Sequence, residues 1–179
     1  MARMDKNNLQ EQGFTFLELL IVIAIMALFS TLSVGGYTAF NENKKIDADT
    51  NQLVSTIELA KKKSRAGDKS GIVQAGVDYS ACDLDGYKVA ITSASTYSLQ
   101  AVMCSNSSPS CTLNSGCADI SIASYSLASS VSLEPTTGAV TIAGAGVAIS
   151  GVSTITVTNS KNSKSKTITI NGAGIVESN

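Results

Sequence analysis

Three groups of residues in this 179-residue chain have the types and spacing to do chemistry. The first is Gly13-Phe14 followed by Glu18. Hydrolysis after Gly13 would release the Phe14 amine as a cation one helical turn from the Glu18 carboxylate. Glu18 stands at the head of an apolar run, Leu19 to Phe29. A carboxylate inside an apolar span costs roughly 2.5–3.5 kcal/mol on insertion scales, so it needs a partner. The Phe14 amine of its own chain, or of a neighbour, can serve, and an opposite charge acts most strongly where the dielectric is low. The second group is Cys82, Cys104, Cys111 and Cys117. The third is Lys161, Lys164 and Lys166, whose ammonium groups could neutralise phosphates.

Composition removes several alternatives. The chain has no His and no Trp, and its formal net charge is −1. Without His, Ser-His-Asp and Cys-His nucleophilic arrangements are unavailable and the commonest metal ligand is missing. The cysteines form no Cys-x-x-Cys pair, which argues against zinc. An even count in a Ser/Thr/Gly-rich region reads as disulfides in an oxidising compartment; four free thiols in a cytosolic protein are the alternative. Asp83 and Asp85, in Cys-Asp-Leu-Asp-Gly, form the one close acidic pair beyond Gly67. They lack the ligand count of a calcium loop and are expected in a turn before a strand that starts at Tyr87. We therefore expect no catalytic residue, metal or cofactor.

The elements that position these groups are a helix and a strand-rich region. Residues 1–13 are polar and end in Gly13, whereas a secretory signal carries its apolar core before the cleavage site. Cleavage here would remove the polar piece and keep the apolar one. From Phe14 to Val34 the segment has about 21 residues, about 30 Å as a helix, enough to span a bilayer core. Ile46, Thr50, Leu53, Ile57 and Ala60 then recur at helical spacing, with polar residues between them. The helix is expected to reach about Arg65, with Gly67 as its stop and Lys61-Lys62-Lys63 suiting its negative end. Gly35-Gly36 is an expected weak point in it.

The octet Gly13-Phe14-Thr15-Phe16-Leu17-Glu18-Leu19-Leu20 resembles the cleavage and methylation motif of type IV pilins and type II secretion pseudopilins. Phe16-Leu17 replaces the commoner Leu-Ile. The resemblance implies cutting after Gly13 by a membrane prepilin peptidase, N-methylation of Phe14, and a role for Glu18 in subunit addition. It implies an α+β pilin fold, a long N-terminal helix packed on an antiparallel β-rich head. The expected organisation is a leader at 1–13, a transmembrane helix at 14–34, an amphipathic helix at 35–66 and a head at 67–179. The alternative for the N-terminus is a plain signal anchor.

Strands are expected at Tyr87–Ser93, Tyr97–Cys104, Ile120–Leu127, Ser130–Glu134, Ala139–Ile142, Val147–Ile149, Ser153–Thr158 and Lys166–Ile170, from alternation and β-branched residues. If the first two form a hairpin, Cys82 and Cys104 meet at its open end and Cys111 and Cys117 close a local loop. The last hairpin carries the three lysines on one loop, and the ending is similar to that of GspH/FimT-like pseudopilins. Two functions follow: a structural subunit of a pilus or pseudopilus, or a tip-exposed subunit binding DNA or a surface. The structural one ranks first, because no aromatic residue accompanies the lysines to stack bases and lysines commonly protect a sheet edge. Expected partners are other pilin subunits, the peptidase/methyltransferase, an inner-membrane assembly platform and lipid. The head would lie outside the cytoplasm.

Overall fold

The computed structural model of the protein describes residues 14–113, 115–144, 149–171 and 176–178, with backbone alone at 31–35 and 149. The chain divides into two compact units between Phe40 and Asn41. One helix, α1, covers Phe16–Ala66 and runs without interruption through Gly35-Gly36. The second unit holds the rest of α1 and every strand among the described residues.

The amphipathic spacing is observed. Ile46, Thr50, Leu53, Ile57 and Ala60 are all buried. Two polar residues extend the same stripe, Glu42 at its start and Ser64 at its end, both buried. The Ser64 hydroxyl donates to the Ala143 carbonyl at 2.8 Å. α1 stops at Gly67, whose φ of 58° is left-handed. The Gly67 N–H reaches the Ser64 carbonyl at 3.2 Å and the Asp68 N–H reaches Lys63 at 3.1 Å. This pair of bonds is a Schellman motif and satisfies the last carbonyls of the helix. Lys63 also pairs with the Asp68 carboxylate at 2.6 Å, so one member of the lysine run clasps the cap.

Strands β1 (Val73–Gln74) and β2 (Val77–Asp78) form a small hairpin. β3 (Asp83–Ser93), β4 (Thr96–Cys104), β5 (Cys117–Ser126), β7 (Gly138–Ala143) and β8 (Ile149–Gly151) make an antiparallel sheet in the order β5-β4-β3-β7-β8. β6 (Val131–Glu134), β9 (Thr154–Asn159), β10 (Lys164–Ile170) and β11 (Val176–Ser178) make a second, in the order β11-β10-β9-β6. Alternation decides which face is buried. Tyr87, Val89 and Ile91 on β3 share the core with Tyr97, Leu99, Ala101 and Met103 on β4. From the second sheet, Leu133, Ile155, Val157 and Ile168 join the same core and meet the α1 stripe. The result is an α+β architecture with a long N-terminal helix and an antiparallel β-rich head.

Two expectations are corrected, and a third falls partly outside the described residues. Asp83 and Asp85 lie within β3, not in a turn. The ladder continues past a bulge between Leu84 and Gly86 to pair Asp83 with Cys104. On the other side of β3, Gly86 lets β7 approach closely, since a Cβ there would lie 2.2 Å from the Ile142 carbonyl oxygen. The turn forms upstream, where Asp78 accepts the Ser80 N–H at 2.8 Å. The three lysines do not share a loop: Lys161 is in the turn, and Lys164 and Lys166 belong to β10. Asn159 and Asn162 tighten that turn by accepting the Lys161 and Lys164 N–H groups. β8 begins at Ile149, so Val147 and Ala148 of the expected strand lie outside the described residues.

Candidate functional site

Gly13 lies outside the described residues, so the site begins at Phe14. Phe14 precedes the helix and is 81% exposed. Thr15 caps α1: its hydroxyl accepts the Glu18 N–H at 3.3 Å, and its carbonyl accepts the Leu19 N–H at 3.2 Å. Thr15-Phe16-Leu17-Glu18 thus has the spacing of a capping box, a signal in the sequence that the apolar context obscures. Glu18 sits in the first turn, where the helix N-terminus favours negative charge. The helix terminus therefore supplies part of the compensation that this carboxylate needs.

Behind Glu18 the helix is apolar on every side. Phe16, Leu17, Leu19, Leu20, Ile21, Val22 and Ile23 are exposed, as are Ile25, Met26, Leu28 and Phe29. A helix apolar all round needs an apolar environment from outside its own chain. Among the described residues no helix is long and apolar enough to cross a membrane. The apolar run with described side chains stops at Ser30, short of the roughly 20 residues a span takes.

At the start of the second unit, Glu42 is the centre of a buried polar cluster. Its carboxylate accepts from Lys45 at 2.6 Å, the Ser130 hydroxyl at 2.6 Å and the Asn159 amide at 3.1 Å. Hydrogen bonding by Lys45, then by Ser130 and Asn159, holds its carboxyl down to about 2, against the opposing effect of burial. Next to it, the Asn162 amide donates to Asn43 at 2.9 Å, and Lys166 pairs with Asp47 at 2.7 Å. That bond, with lesser help from neighbouring lysines, holds the Asp47 carboxyl below its ordinary range. Lys161 stands 3.7 Å from Glu42. The hairpin of β9 and β10 is thus fastened to α1, and two of its three lysines have carboxylate partners. Sequence reasoning missed Glu42 because a Glu beside Lys and Asn reads as solvated helix surface.

The cysteines form two disulfides, but the expected pairing is wrong. Cys82 bonds Cys111, and Cys104 bonds Cys117. Cys104 and Cys117 are register partners on neighbouring strands β4 and β5. Cys82 lies just before β3, free of that ladder, and reaches Cys111 in the loop that the other disulfide closes.

The description "prokaryotic N-terminal methylation motif" fits residues 8–34 of this chain. This is a pilin-type N-terminus. The motif is the signature of type IV pilins and pseudopilins, which are structural subunits. Such a pilin-type segment goes with a membrane-anchored precursor, a prepilin peptidase and assembly among pilin subunits. No curated protein and no solved structure matches the chain. The similarity to pilins therefore rests on residues 8–34 and the α+β architecture, and the GspH/FimT likeness of the head has no match behind it.

Proposed function

We propose that this chain is a non-enzymatic structural subunit, a minor pilin or pseudopilin. In this reading residues 14–34 hold it in the membrane before it joins a type IV pilus or type II secretion pseudopilus. The observation that carries the reading is the helix surface from Leu19 to Phe29, apolar on all sides and exposed, directly behind Glu18. Lipid can cover that surface first and neighbouring helices afterwards. The sequence continues it with Thr31-Leu32-Ser33-Val34, which brings the segment to bilayer length. Removal of residues 1–13 would leave Phe14 as the methylated N-terminus and Glu18 as the carboxylate that selects the axial step between subunits. The ion pair supplies register more than affinity, because both charges must be desolvated.

The test is mass spectrometry of the protein from its own membranes, with fractionation of sheared filaments. The expected result is a chain starting at methylated Phe14 and present in filaments. An intact Met1 form in peptidase-competent cells, absent from every filament fraction, contradicts the reading. A tip role in binding DNA ranks lower, since Lys166 is paired with Asp47 and Lys161 faces Glu42.

A further inference from the structure

We propose that the Cys104–Cys117 disulfide is a thiol-exchange site, opened at the Cys117 sulfur by a dithiol partner while Cys82–Cys111 stays closed. The inference concerns the second unit alone and does not depend on the filament reading. The two bonds differ first in access. Cys82 is 0% exposed and lies in the core, and Cys111 is partly buried against that core. Cys117 is exposed and Cys104 is half-buried. Exchange begins when a thiolate reaches one sulfur of the bond, so access decides which disulfide reacts and from which side.

They differ next in what they hold. Cys104 ends β4 and Cys117 begins β5, and the two are register partners. β5 is the outermost strand of its sheet. The bond is thus a clasp at one end of an edge strand. Beyond the clasp, Ile120 is buried in the core and Tyr125 stacks on Tyr97 with ring centroids 5.1 Å apart. β5 therefore keeps its place when the clasp opens, and Cys111 keeps its tie to the core through Cys82. Opening is a local event that the folded head survives.

The step balances on one dithiol. Its thiolate forms a bond to Cys117 Sγ, and the Cys104–Cys117 bond breaks. The electron pair leaves on Cys104 Sγ, which takes a proton from water. The partner's second thiol then attacks the mixed disulfide, so the partner is oxidised to its own disulfide and Cys117 is released as a thiol. Attack at Cys111 would instead expel Cys82 as a thiolate inside apolar packing, which is costly. The head thus carries one disulfide that fixes it and one that exchanges, and exchange loosens the start of β5.

The test treats the purified full chain in detergent, without denaturant, with dithiothreitol. Samples are quenched by alkylation at intervals and the cysteines are mapped. Cys104 and Cys117 should be alkylated together, roughly tenfold or more ahead of Cys82 and Cys111, with far-UV circular dichroism unchanged at that stage. With excess glutathione, the trapped mixed disulfide should sit on Cys117. Ile57→Val, a change in the buried α1 stripe, separates local opening from global unfolding. It should speed the loss of Cys82–Cys111 roughly two- to tenfold, the usual range for one lost core methyl group, and leave the Cys104–Cys117 rate unchanged. Equal rates for the two disulfides, earlier loss of Cys82–Cys111, a mixed disulfide on Cys104, or equal acceleration of both bonds by Ile57→Val would each overturn the proposal.

Discussion

The Asn159 side chain donates twice to Glu42, to its main-chain carbonyl at 3.0 Å and to its carboxylate at 3.1 Å. One amide at the end of β9 thereby fixes both the backbone and the side chain of α1 where the stripe begins. Glu42→Ala should lower the melting temperature of the disulfide-intact protein by several degrees, because the Ser130 and Asn159 donors lose a buried acceptor. Asn159→Ala should do likewise. The double variant should lose less than the sum, since the two residues share one interaction.

The same carboxylate gives the head a pH dependence. The Glu42 carboxyl is held at about 2, below its ordinary value of 4.5, so its contribution is full above about pH 5. It should disappear as pH falls through about 2, because the unfolded chain binds the proton first. Thermal melts from pH 7 to pH 2 should show a steeper loss for wild type than for Glu42→Gln. Parallel curves would assign the acid sensitivity to other carboxylates.

Helix packing predicts a sharp contrast between two leucines six residues apart. Leu53 is fully buried in the stripe, whereas Leu59 is 40% exposed. Leu53→Ala should cost about 2–5 kcal/mol by denaturant unfolding, through lost burial and a cavity. Leu59→Ala should stay within about 0.5 kcal/mol, as surface substitutions usually do.

Non-reducing peptide mapping should recover Cys82 linked to Cys111 and Cys104 linked to Cys117. Replacing both Cys104 and Cys117 by Ser should cost about 3 kcal/mol, the usual effect for a loop of this size. The Cys82–Cys111 bond should survive, since Cys111 then remains the partner nearest Cys82.

Much of this architecture is legible from residue spacing. The stripe from Ile46 to Ala60, the Gly67 stop and most strands follow from period 3.6 or period 2, because burial of one face dictates both. What is hidden depends on contacts distant in sequence. Glu42 meets Ser130 and Asn159 only after β6 and β9 have paired and α1 has packed beside them, so nothing local separates it from a solvated Glu. Disulfide choice depends on where β3 starts. Because Asp83 already pairs with Cys104, Cys82 is pushed beyond the ladder and Cys104 turns to β5. At the N-terminus the motif itself is local, whereas the Thr15 cap on Glu18 emerges from the helix start at Phe16.

That cap gives the central claim its control. Glu18 is both the first-turn acid of α1 and the proposed register charge, and the two roles separate by mutation. Thr15→Ala removes the hydroxyl cap, which is worth about 1 kcal/mol of helix stability, and keeps the carboxylate. Glu18→Gln removes the charge and keeps the shape. The decisive measurement is the ratio of subunit in sheared filaments to subunit in the membrane, for wild type, Thr15→Ala, Glu18→Gln and Glu18→Ala at matched membrane abundance. The account predicts filament incorporation close to wild type for Thr15→Ala and a severe loss for both Glu18 variants, with cleavage after Gly13 unchanged in all. Glu18→Ala entering filaments as well as wild type would contradict the account.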